Sequence, residues 1–429
     1  MARPASAQRI ETIVIGGGHA GLCMSYVLQE EGRDHRVLEK ARALAQWRTA
    51  RWDSFRINSP IGYSRLMGQK DGLPDDRRAI PLLEMLRMWD ECIAQRGIPI
   101  HERCKVVSVE RTREGRFAVR AEDRRGPRLY HALNVVAATG NCQTAEIPGC
   151  AARLPPGIQQ LRVGIYTRPS AVQEGAVLVV GGGQTGVQLS EELAGAGRRV
   201  YLATSRVEGT PRSYRGEDIM VWLDRTGLLT TPSVRLGPGE RHQAMPIVGP
   251  DHAISHHSLA RLGVTLLGSL RDISQDGAIA TFGDDLFDHV DFARQGYDEL
   301  VGAIEEWIAG TEPAVRAGYP PPSEESAWRP HPQLLASHPP AQLDLRAHKI
   351  NAVLWATGWR AELDWLQIEE VRAALDDRGL PRACDTPVDG FFWLGFDWLR
   401  TRASGILAGF PLDASYVAER LRRERPRRP

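Results

Sequence analysis

Two glycine-rich segments, at residues 16–21 and 181–186, carry the clearest chemistry of this 429-residue chain, because both have the spacing GxGxxG. Each follows a short apolar run, TIVI in the first and VLVV in the second, and each leads into residues with helical apolar spacing. Glycine permits a tight turn, its missing side chain lets a pyrophosphate approach the backbone, and a helix N-terminus offers free N–H donors. Two strand–turn–helix units of this kind predict two dinucleotide sites. The candidate contacts are Gly16, Gly18, His19, Ala20 and Gly21 in the first unit and Gly181, Gly183, Gln184, Thr185 and Gly186 in the second.

The residues that follow the second strand of each unit differ, and this difference assigns a ligand to each unit. Glu39 ends the strand of the first unit, where a carboxylate can accept hydrogen bonds from ribose hydroxyls. Ser205 and Arg206 take this place in the second unit. An arginine beside a hydroxyl would hold a 2′-phosphate, which a carboxylate would repel. The first unit therefore suits FAD and the second suits NADPH, with a solvated surface arginine as the alternative interpretation of Arg206.

Two further apolar runs, at residues 135–140 and 353–358, end in Ala-Thr-Gly and predict strands that turn close to a cofactor. One closes the first unit and the other returns from the second. The sequence therefore predicts an α/β fold with two Rossmann-like dinucleotide-binding domains, in which the NADPH domain is inserted in the FAD domain. We expect an FAD-binding domain at 1–165 and 355–429, and an NADPH-binding domain with an insertion resembling a substrate lid at 170–350. Further candidate contacts are Thr139, Gly140, Thr357 and Gly358.

Composition argues against several other classes of function. Lys and Arg number 54 and Asp and Glu 53, a net charge of +1, so no overall basic field favours nucleic acid or an anionic membrane. The six cysteines include no CxxC pair and no Cys/His cluster at zinc spacing, so we expect no metal site. No run of apolar residues is long enough to span a membrane. We expect a cytoplasmic protein that acts on a small molecule, and a homodimer stays open.

At the level of longer motifs the chain resembles the class B flavoprotein monooxygenases. This group includes flavin-containing monooxygenases, plant YUCCA-type enzymes and Baeyer–Villiger enzymes, and the resemblance is closest to small bacterial members often labelled CzcO-like. It covers nearly the whole chain. Its most discriminating segment is WRTARWDS at residues 47–54, and other matching segments lie at 58–60, 213–219, 355–359 and 398–405.

The resemblance implies an NADPH-dependent FAD monooxygenase. NADPH would reduce the flavin, reduced flavin would react with O₂ to a C4a-(hydro)peroxide, and one oxygen atom would pass to a nitrogen, sulfur or carbon of a small substrate. Asn58 stands where flavin-containing monooxygenases carry an asparagine, whose amide could hydrogen-bond the flavin peroxide and hold NADP. A turn asparagine before Ser-Pro is the alternative for this candidate catalytic residue. The cofactor contacts implied by resemblance are Glu39, Lys40, Trp47, Arg48, Trp52, Asn58, Val106, Ser404 and Gly405.

Other functions remain possible at this stage. An NADPH oxidase or reductase that produces hydrogen peroxide is the main alternative, because Arg162 stands where the family signature has a histidine. A nucleotide-sensing protein that uses the fold as a scaffold is a third, because fold alone does not fix function. Disulfide reductases are disfavoured, since no cysteine pair follows either glycine turn.

Overall fold

A computed structural model describes residues 7–69, 79–234, 246–323, 328–336 and 338–423 of the chain. The strands within these ranges are β1 (Gln8–Ile15), β2 (His35–Glu39), β3 (Ile100–Glu102), β4 (Lys105–Arg111), β5 (Phe117–Asp123), β6 (Gly126–Ala137), β7 (Thr144–Ala145), β8 (Gln159–Arg162), β9 (Ala176–Val180), β10 (Val200–Ala203), β11 (Ser213–Tyr214), β12 (Glu217–Asp218), β13 (Thr265–Leu267), β14 (Leu270–Ile273), β15 (Ile279–Phe282), β16 (Gln342–Asp344), β17 (Ile350–Trp355), β18 (Trp359–Arg360) and β19 (Phe391–Trp393). The α-helices are α1 (His19–Glu30), α2 (Ala45–Thr49), α3 (Leu82–Arg96), α4 (Gln184–Gly195), α5 (Ile219–Arg225), α6 (His256–Arg261), α7 (Leu286–Ala309), α8 (Pro313–Ala317), α9 (Pro332–Leu335), α10 (Glu369–Ala373) and α11 (Phe410–Arg423).

The first large sheet has the strand order β3-β2-β1-β6-β5-β4, and β19 also pairs with β6. Strands β3, β2, β1, β6 and β19 are parallel, whereas β4, β5 and the start of β6 form an antiparallel meander. Ile13, Val14 and Ile15 of β1 are fully buried or nearly so, as expected of a strand that is covered on both faces. This sheet and the helices packed on it form the first unit. The carboxyl end of β1 leads into α1 through the first glycine turn.

The second large sheet has the order β13-β10-β9-β17-β8, and all its strands are parallel. All five residues of β9 are buried. These strands and the helices packed on them form the second unit, and they lie in the chain between β6 and β19 of the first sheet. The second unit is therefore inserted within the first, which confirms the predicted fold class. Because β8 is an edge strand of the second sheet, the chain first crosses between the sheets before residue 159.

Helix α7 shows how apolar periodicity alone can define an element. Apolar residues recur at helical spacing between Leu286 and Ile308, which predicts an amphipathic helix. In the structure α7 covers this whole stretch, and the seven residues of the apolar pattern are buried. They are Leu286, Val290, Ala293, Tyr297, Leu300, Ile304 and Ile308.

Candidate active site

The three glycines of the first turn differ in the space around them. Gly16 has φ +107°, and a Cβ there would lie 2.6 Å from the backbone oxygen of Ala138. A Cβ on Gly21 would lie 2.0 Å from the Gly16 oxygen, so this glycine lets α1 pack closely on the turn. A Cβ on Gly18 would meet no described atom within 4 Å. The turn therefore exposes its backbone only at Gly18, where α1 begins and where a phosphate can approach.

The second turn repeats this geometry. Gly181 has φ +114°, and a Cβ there would lie 2.3 Å from the backbone oxygen of Ala356. A Cβ on Gly186 would lie 1.7 Å from the Gly181 oxygen, whereas one on Gly183 would meet none of the described atoms within 4 Å. Both turns thus have the shape that a bound pyrophosphate needs.

Different side chains hold the same place beside the two turns. The Gly17 N–H donates to Oε2 of Glu39 at 2.7 Å, and the Ala41 N–H donates to Oε1 at 2.8 Å. At the corresponding position of the second turn, the Gly182 N–H donates to Oγ of Ser205 at 3.0 Å. The first turn therefore carries a fixed carboxylate and the second a neutral hydroxyl, which is the difference used to assign their ligands.

Arg206 lies next to Ser205 and is exposed. Its guanidinium carbon stacks 4.2 Å from the ring centroid of Phe292 on α7. Both residues line a cavity of about 740 Å³ that also contains the carboxylates of Asp288 and Asp291. In this position the guanidinium contacts α7, and its role toward a 2′-phosphate stays a prediction.

The ends of β6 and β17 border the two turns. Gly140 has φ +67° and Gly358 has φ +102°, so the backbone has a positive φ at both glycines. Each of them directly follows a threonine. The Thr357 hydroxyl donates to the backbone oxygen of Glu146. The Thr139 hydroxyl is buried and has no hydrogen-bond partner within the described ranges. An unpartnered buried hydroxyl on a residue that borders Gly16 fits a bound dinucleotide at the first turn.

Asn58 links the two units through its side chain and its backbone. Its Oδ1 accepts a hydrogen bond of 3.0 Å from Nε2 of Gln188 on α4, and its backbone oxygen accepts one of 2.7 Å from Nη1 of Arg212. Arg212 also donates to Asp218 and to the backbone oxygen of Gly249. Asn58 therefore lies where the units meet, and its side-chain NH₂ group forms no hydrogen bond with the described residues.

Gln188 is a residue that motif reading missed. It is buried, and its Oε1 has no hydrogen-bond partner in the described part of the chain. The available signal is its spacing, because residue 188 follows Gln184 by four positions and thus shares a face of α4 with it. Gln184 itself forms a pair of hydrogen bonds with the backbone of Val248, at 2.7 and 2.8 Å. Thr185 follows it in the first turn of α4.

Several residues implied by the resemblance support the first unit through packing. The Trp47 ring packs edge-on against Trp89 at 5.5 Å, and Arg48 donates to Asp90 and to the Ala43 oxygen. Val106 is buried on β4. Trp47 and Arg48 thus join α2 to α3, and Val106 belongs to the apolar core of the same unit.

His19 and Ala20 open α1 directly beneath the first turn. Both are buried, and His19 contacts the Trp89 ring at 5.3 Å. Burial lowers the pKa of His19 to about 4, so its imidazole is neutral at pH 7. Ala20 packs against Gly395, where a Cβ would lie 2.8 Å from the alanine methyl.

Lys40 and Trp52 make different kinds of contact within the described chain. Lys40 is exposed and forms an ion pair with Glu362 at 3.4 Å. Trp52 is buried in the apolar core of the second unit, where its ring meets Phe55 edge-on at 4.9 Å. The contact of either residue with a cofactor stays a prediction.

Ser404 and Gly405 shape the loop before α11. The Ser404 Oγ accepts hydrogen bonds from the backbone N–H groups of Arg400 and Thr401, at 3.1 and 3.2 Å. Gly405 has φ +90°, and a Cβ there would lie 2.1 Å from Oδ1 of Asp397. The missing side chain of Gly405 thus makes room for this carboxylate.

The comparisons with known proteins agree with this geometry. Residues 13–225 match the family model of the pyridine nucleotide-disulphide oxidoreductases. The chain is 27% identical over 414 residues to an uncharacterized CzcO-like oxidoreductase of Geobacillus kaustophilus, covering 95% of this chain and 97% of the relative. A flavin-containing monooxygenase from Stenotrophomonas maltophilia matches with a TM-score of 0.65 and 19% identity, covering 97% of this chain and 99% of that one.

These matches confirm the resemblance to the class B flavoprotein monooxygenases. By these matches the chain is an oxidoreductase that is similar to known flavoproteins. The same fold also occurs in a bacillithiol disulfide reductase from Bacillus cereus, with a TM-score of 0.58, 15% identity and coverage of 97% of this chain and 100% of that one. The fold alone therefore does not choose between oxygen transfer and disulfide reduction.

The region just beyond the end of β6 borders the first glycine turn, because Ala138 and Thr139 approach Gly16. Cys142 is exposed in this region, and desolvation raises the pKa of its thiol to about 11. Asp397 is also exposed and accepts a hydrogen bond of 2.7 Å from Asn141. Desolvation raises the pKa of Asp397 above its ordinary value. Neither residue belongs to a short motif that could have marked it in the sequence.

Neither a metal centre nor a disulfide is visible in the described part of this flavoprotein. No group of three or more His, Cys, Asp and Glu side chains there is placed to hold a metal ion. The six cysteines are all free. Across the same residues, no helix combines the length and apolar character needed to cross a bilayer.

Proposed function

We propose that this protein is an NADPH-dependent FAD monooxygenase that inserts one oxygen atom from O₂ into a small organic substrate. The observation that carries the proposal is the pair of open glycine turns, one beside the carboxylate of Glu39 and one beside the hydroxyl of Ser205, in units joined by the Asn58–Gln188 hydrogen bond. Two dinucleotides are needed for this reaction, and the chain offers two matching sites. The oxygen atom transferred and the reducing equivalents both come from small molecules, O₂ and NADPH.

The residues at the first turn would bind FAD. The open backbone of Gly18 would receive the pyrophosphate, and Glu39 has lone pairs left to accept ribose hydroxyls. The unpartnered Thr139 hydroxyl would gain a partner. Bound FAD, once reduced by NADPH, supplies the reaction with O₂ that no side chain can perform.

The residues at the second turn would bind NADPH and place its nicotinamide toward the first unit. Gly183 would receive the pyrophosphate, and Ser205 with Arg206 would receive the 2′-phosphate. Gln188 Oε1 is a buried acceptor that needs a donor, and the NH₂ group of Asn58 is a donor that does not ionise. Together these amides would hold the reacting groups without supplying a proton. Neutral His19 supplies none either.

An NADPH oxidase that releases hydrogen peroxide is the second candidate, and Arg162 is the observation that favours it. Arg162 ends β8 and pairs in register with Trp355 of β17, so it lies at the carboxyl edge of the second sheet. The family signature has a histidine there, and its replacement would weaken the coupling of reduction to oxygen transfer.

One coupled assay separates these two candidates. Purified protein is reconstituted with FAD, and NADPH consumption is followed with amines, thioethers, ketones and aromatic acids while oxygenated product and hydrogen peroxide are measured in parallel. The monooxygenase is supported if product approaches one equivalent per NADPH for at least one substrate class. Peroxide equal to NADPH consumed in every case supports the oxidase. Protein that binds no FAD refutes both.

A variant adds a test of Asn58. We expect Asn58→Leu to keep FAD but to release more peroxide per NADPH, since the amide donor is lost. Gln69, a described amide residue of the same unit, provides the matched control Gln69→Leu. Equal product yield from the wild type and Asn58→Leu would contradict the role of Asn58.

A further inference from the structure

Arg51 carries a charge that the described chain holds in place but does not neutralise. Its guanidinium carbon lies 4.8 Å from the ring centroid of Trp47 and 5.3 Å from that of Phe55, so two aromatic rings position it. Its one hydrogen bond within the described ranges is from Nη1 to the backbone oxygen of Ala50, at 2.9 Å. A guanidinium has five N–H donors, and the other four have no partner among these residues.

Other well-buried arginines of the chain face a carboxylate instead. Arg33 pairs with Glu11 at 2.6 Å, and Arg402 pairs with Glu208 at 3.1 Å. Arg51 has no carboxylate within 4.0 Å among the residues that the structure describes. An arginine cannot lose its proton in a protein, so this partly buried cation needs an anionic partner, and the described residues provide none.

The position of Arg51 identifies what that partner can be. A Cβ on Gly164, which follows β8 of the second sheet, would lie 3.5 Å from the Ala50 methyl, and Gln46, on the preceding helix α2, donates to the backbone oxygen of Cys142. Burial lowers the pKa of Arg51, and the neighbouring Cys142 acts on it in the opposite direction. Arg51 therefore lies beside Cys142, in the region just beyond the end of β6 that borders the first nucleotide turn.

We infer that Arg51 binds the carboxylate of the substrate, so that the molecules this protein oxidises are organic acids. The inference rests on the proposed function in one respect, that the substrate of that reaction binds in the region just beyond the end of β6. The planar fork of a guanidinium matches a carboxylate with two parallel hydrogen bonds, and aromatic packing on its faces leaves its N–H edge free. A coenzyme phosphate has related chemistry, and the experiment below separates it from a substrate.

Binding is measured without turnover. Oxidised, FAD-loaded protein is titrated with 3-(methylthio)propionate and phenylacetate, and with the uncharged analogues 3-(methylthio)propanol and 2-phenylethanol. The flavin absorbance change and calorimetry report the dissociation constants. The variants are Arg51→Met and Arg51→Lys, and Arg113→Met, at an exposed arginine, serves as the control. FAD content, NADP⁺ affinity and melting temperature are measured for each.

We expect at least one acid to bind roughly 10- to 100-fold more tightly than its alcohol, the range of a charge-assisted bidentate pair. Arg51→Met should abolish this preference with unchanged FAD content and melting temperature, Arg51→Lys should keep part of it, and Arg113→Met should keep all of it. The inference is overturned if no acid binds more tightly than its alcohol, or if Arg51→Met loses FAD or NADP⁺ affinity instead. Because the assay needs no oxygen transfer, its failure is distinct from a failure of the monooxygenase proposal.

Discussion

The variant Gly183→Ala should weaken coenzyme binding while leaving the stability of the fold nearly unchanged. Gly183 has φ −76° and ψ −177°, which alanine adopts freely, and its Cβ would meet none of the described atoms within 4 Å. The cost to the fold is therefore that of alanine in place of glycine before a helix, about 0.5–1 kcal/mol. The methyl would fill the space through which a pyrophosphate reaches the first N–H groups of α4. If the methyl displaces the pyrophosphate by on the order of 1 Å, NADP⁺ binding should weaken roughly 10- to 100-fold.

The matched control is Gly186→Ala, three residues further along the same turn. Its Cβ would lie 1.7 Å from the Gly181 oxygen, where contacts under 3.0 Å are essentially never observed. Helix α4 would have to move away from β9, and overpacking of this kind costs about 1–3 kcal/mol or more. We therefore expect Gly186→Ala to lower the melting temperature much more than Gly183→Ala does.

The assay is calorimetric titration of FAD-loaded protein with NADP⁺, together with thermal unfolding of each variant. The reasoning is refuted if Gly183→Ala binds NADP⁺ within twofold of the wild type, since the open space at Gly183 would then not be the phosphate site. It is equally refuted if Gly183→Ala unfolds at as low a temperature as Gly186→Ala.

Three further predictions concern single side chains. Gln188→Leu should weaken NADP⁺ binding about 3- to 10-fold with FAD content unchanged, because one buried hydrogen bond to the ligand is lost; an unchanged NADP⁺ dissociation constant in calorimetry would contradict this. Arg206→Ala should raise the KM for NADPH about tenfold but leave that for NADH within twofold, since only NADPH carries the 2′-phosphate; steady-state kinetics showing equal effects would exclude the assigned role. Hydrogen bonds to Glu191 and Asp251 raise the pKa of His252 to about 9. The stabilisation of the folded protein by this ion pair is therefore complete below the ordinary histidine pKa of 6.5 and is lost as the pH rises through 9. Melting temperatures of the wild type and His252→Asn should converge above that pH, and a constant difference up to pH 10 would refute the ion pair as the cause.

The sequence was most informative where a local backbone pattern determines the outcome. Both glycine turns could be predicted because each needs only an apolar strand, three glycines and a helix in succession. Helix α7 could be predicted because burial repeats with the helical period. In these cases every residue that decides the structure lies within one short segment.

Contacts between residues far apart in the chain could not be predicted from the sequence in this way. The Asn58–Gln188 hydrogen bond joins residues 130 positions apart, and no periodicity in either segment indicates it. Trp52 belongs to the most discriminating motif, yet its position in the core of the second unit depends on apolar surface supplied by distant strands. The unpaired charge of Arg51 is harder still to foresee, since it depends on which carboxylates the folded chain leaves out of reach.

The burial of Trp52 in the second unit has a mechanical consequence. The indole belongs to the segment between α2 and α3, which also carries Asn58, but it is embedded among the side chains of the neighbouring unit. If the second unit rotates to admit or release a coenzyme, the segment that carries Trp52 must move with it. Otherwise the indole becomes exposed to water, at a cost of roughly 1.5–3 kcal/mol. Asn58 and Gln188 would then move as one body, and the hydrogen bond between them would survive the rotation.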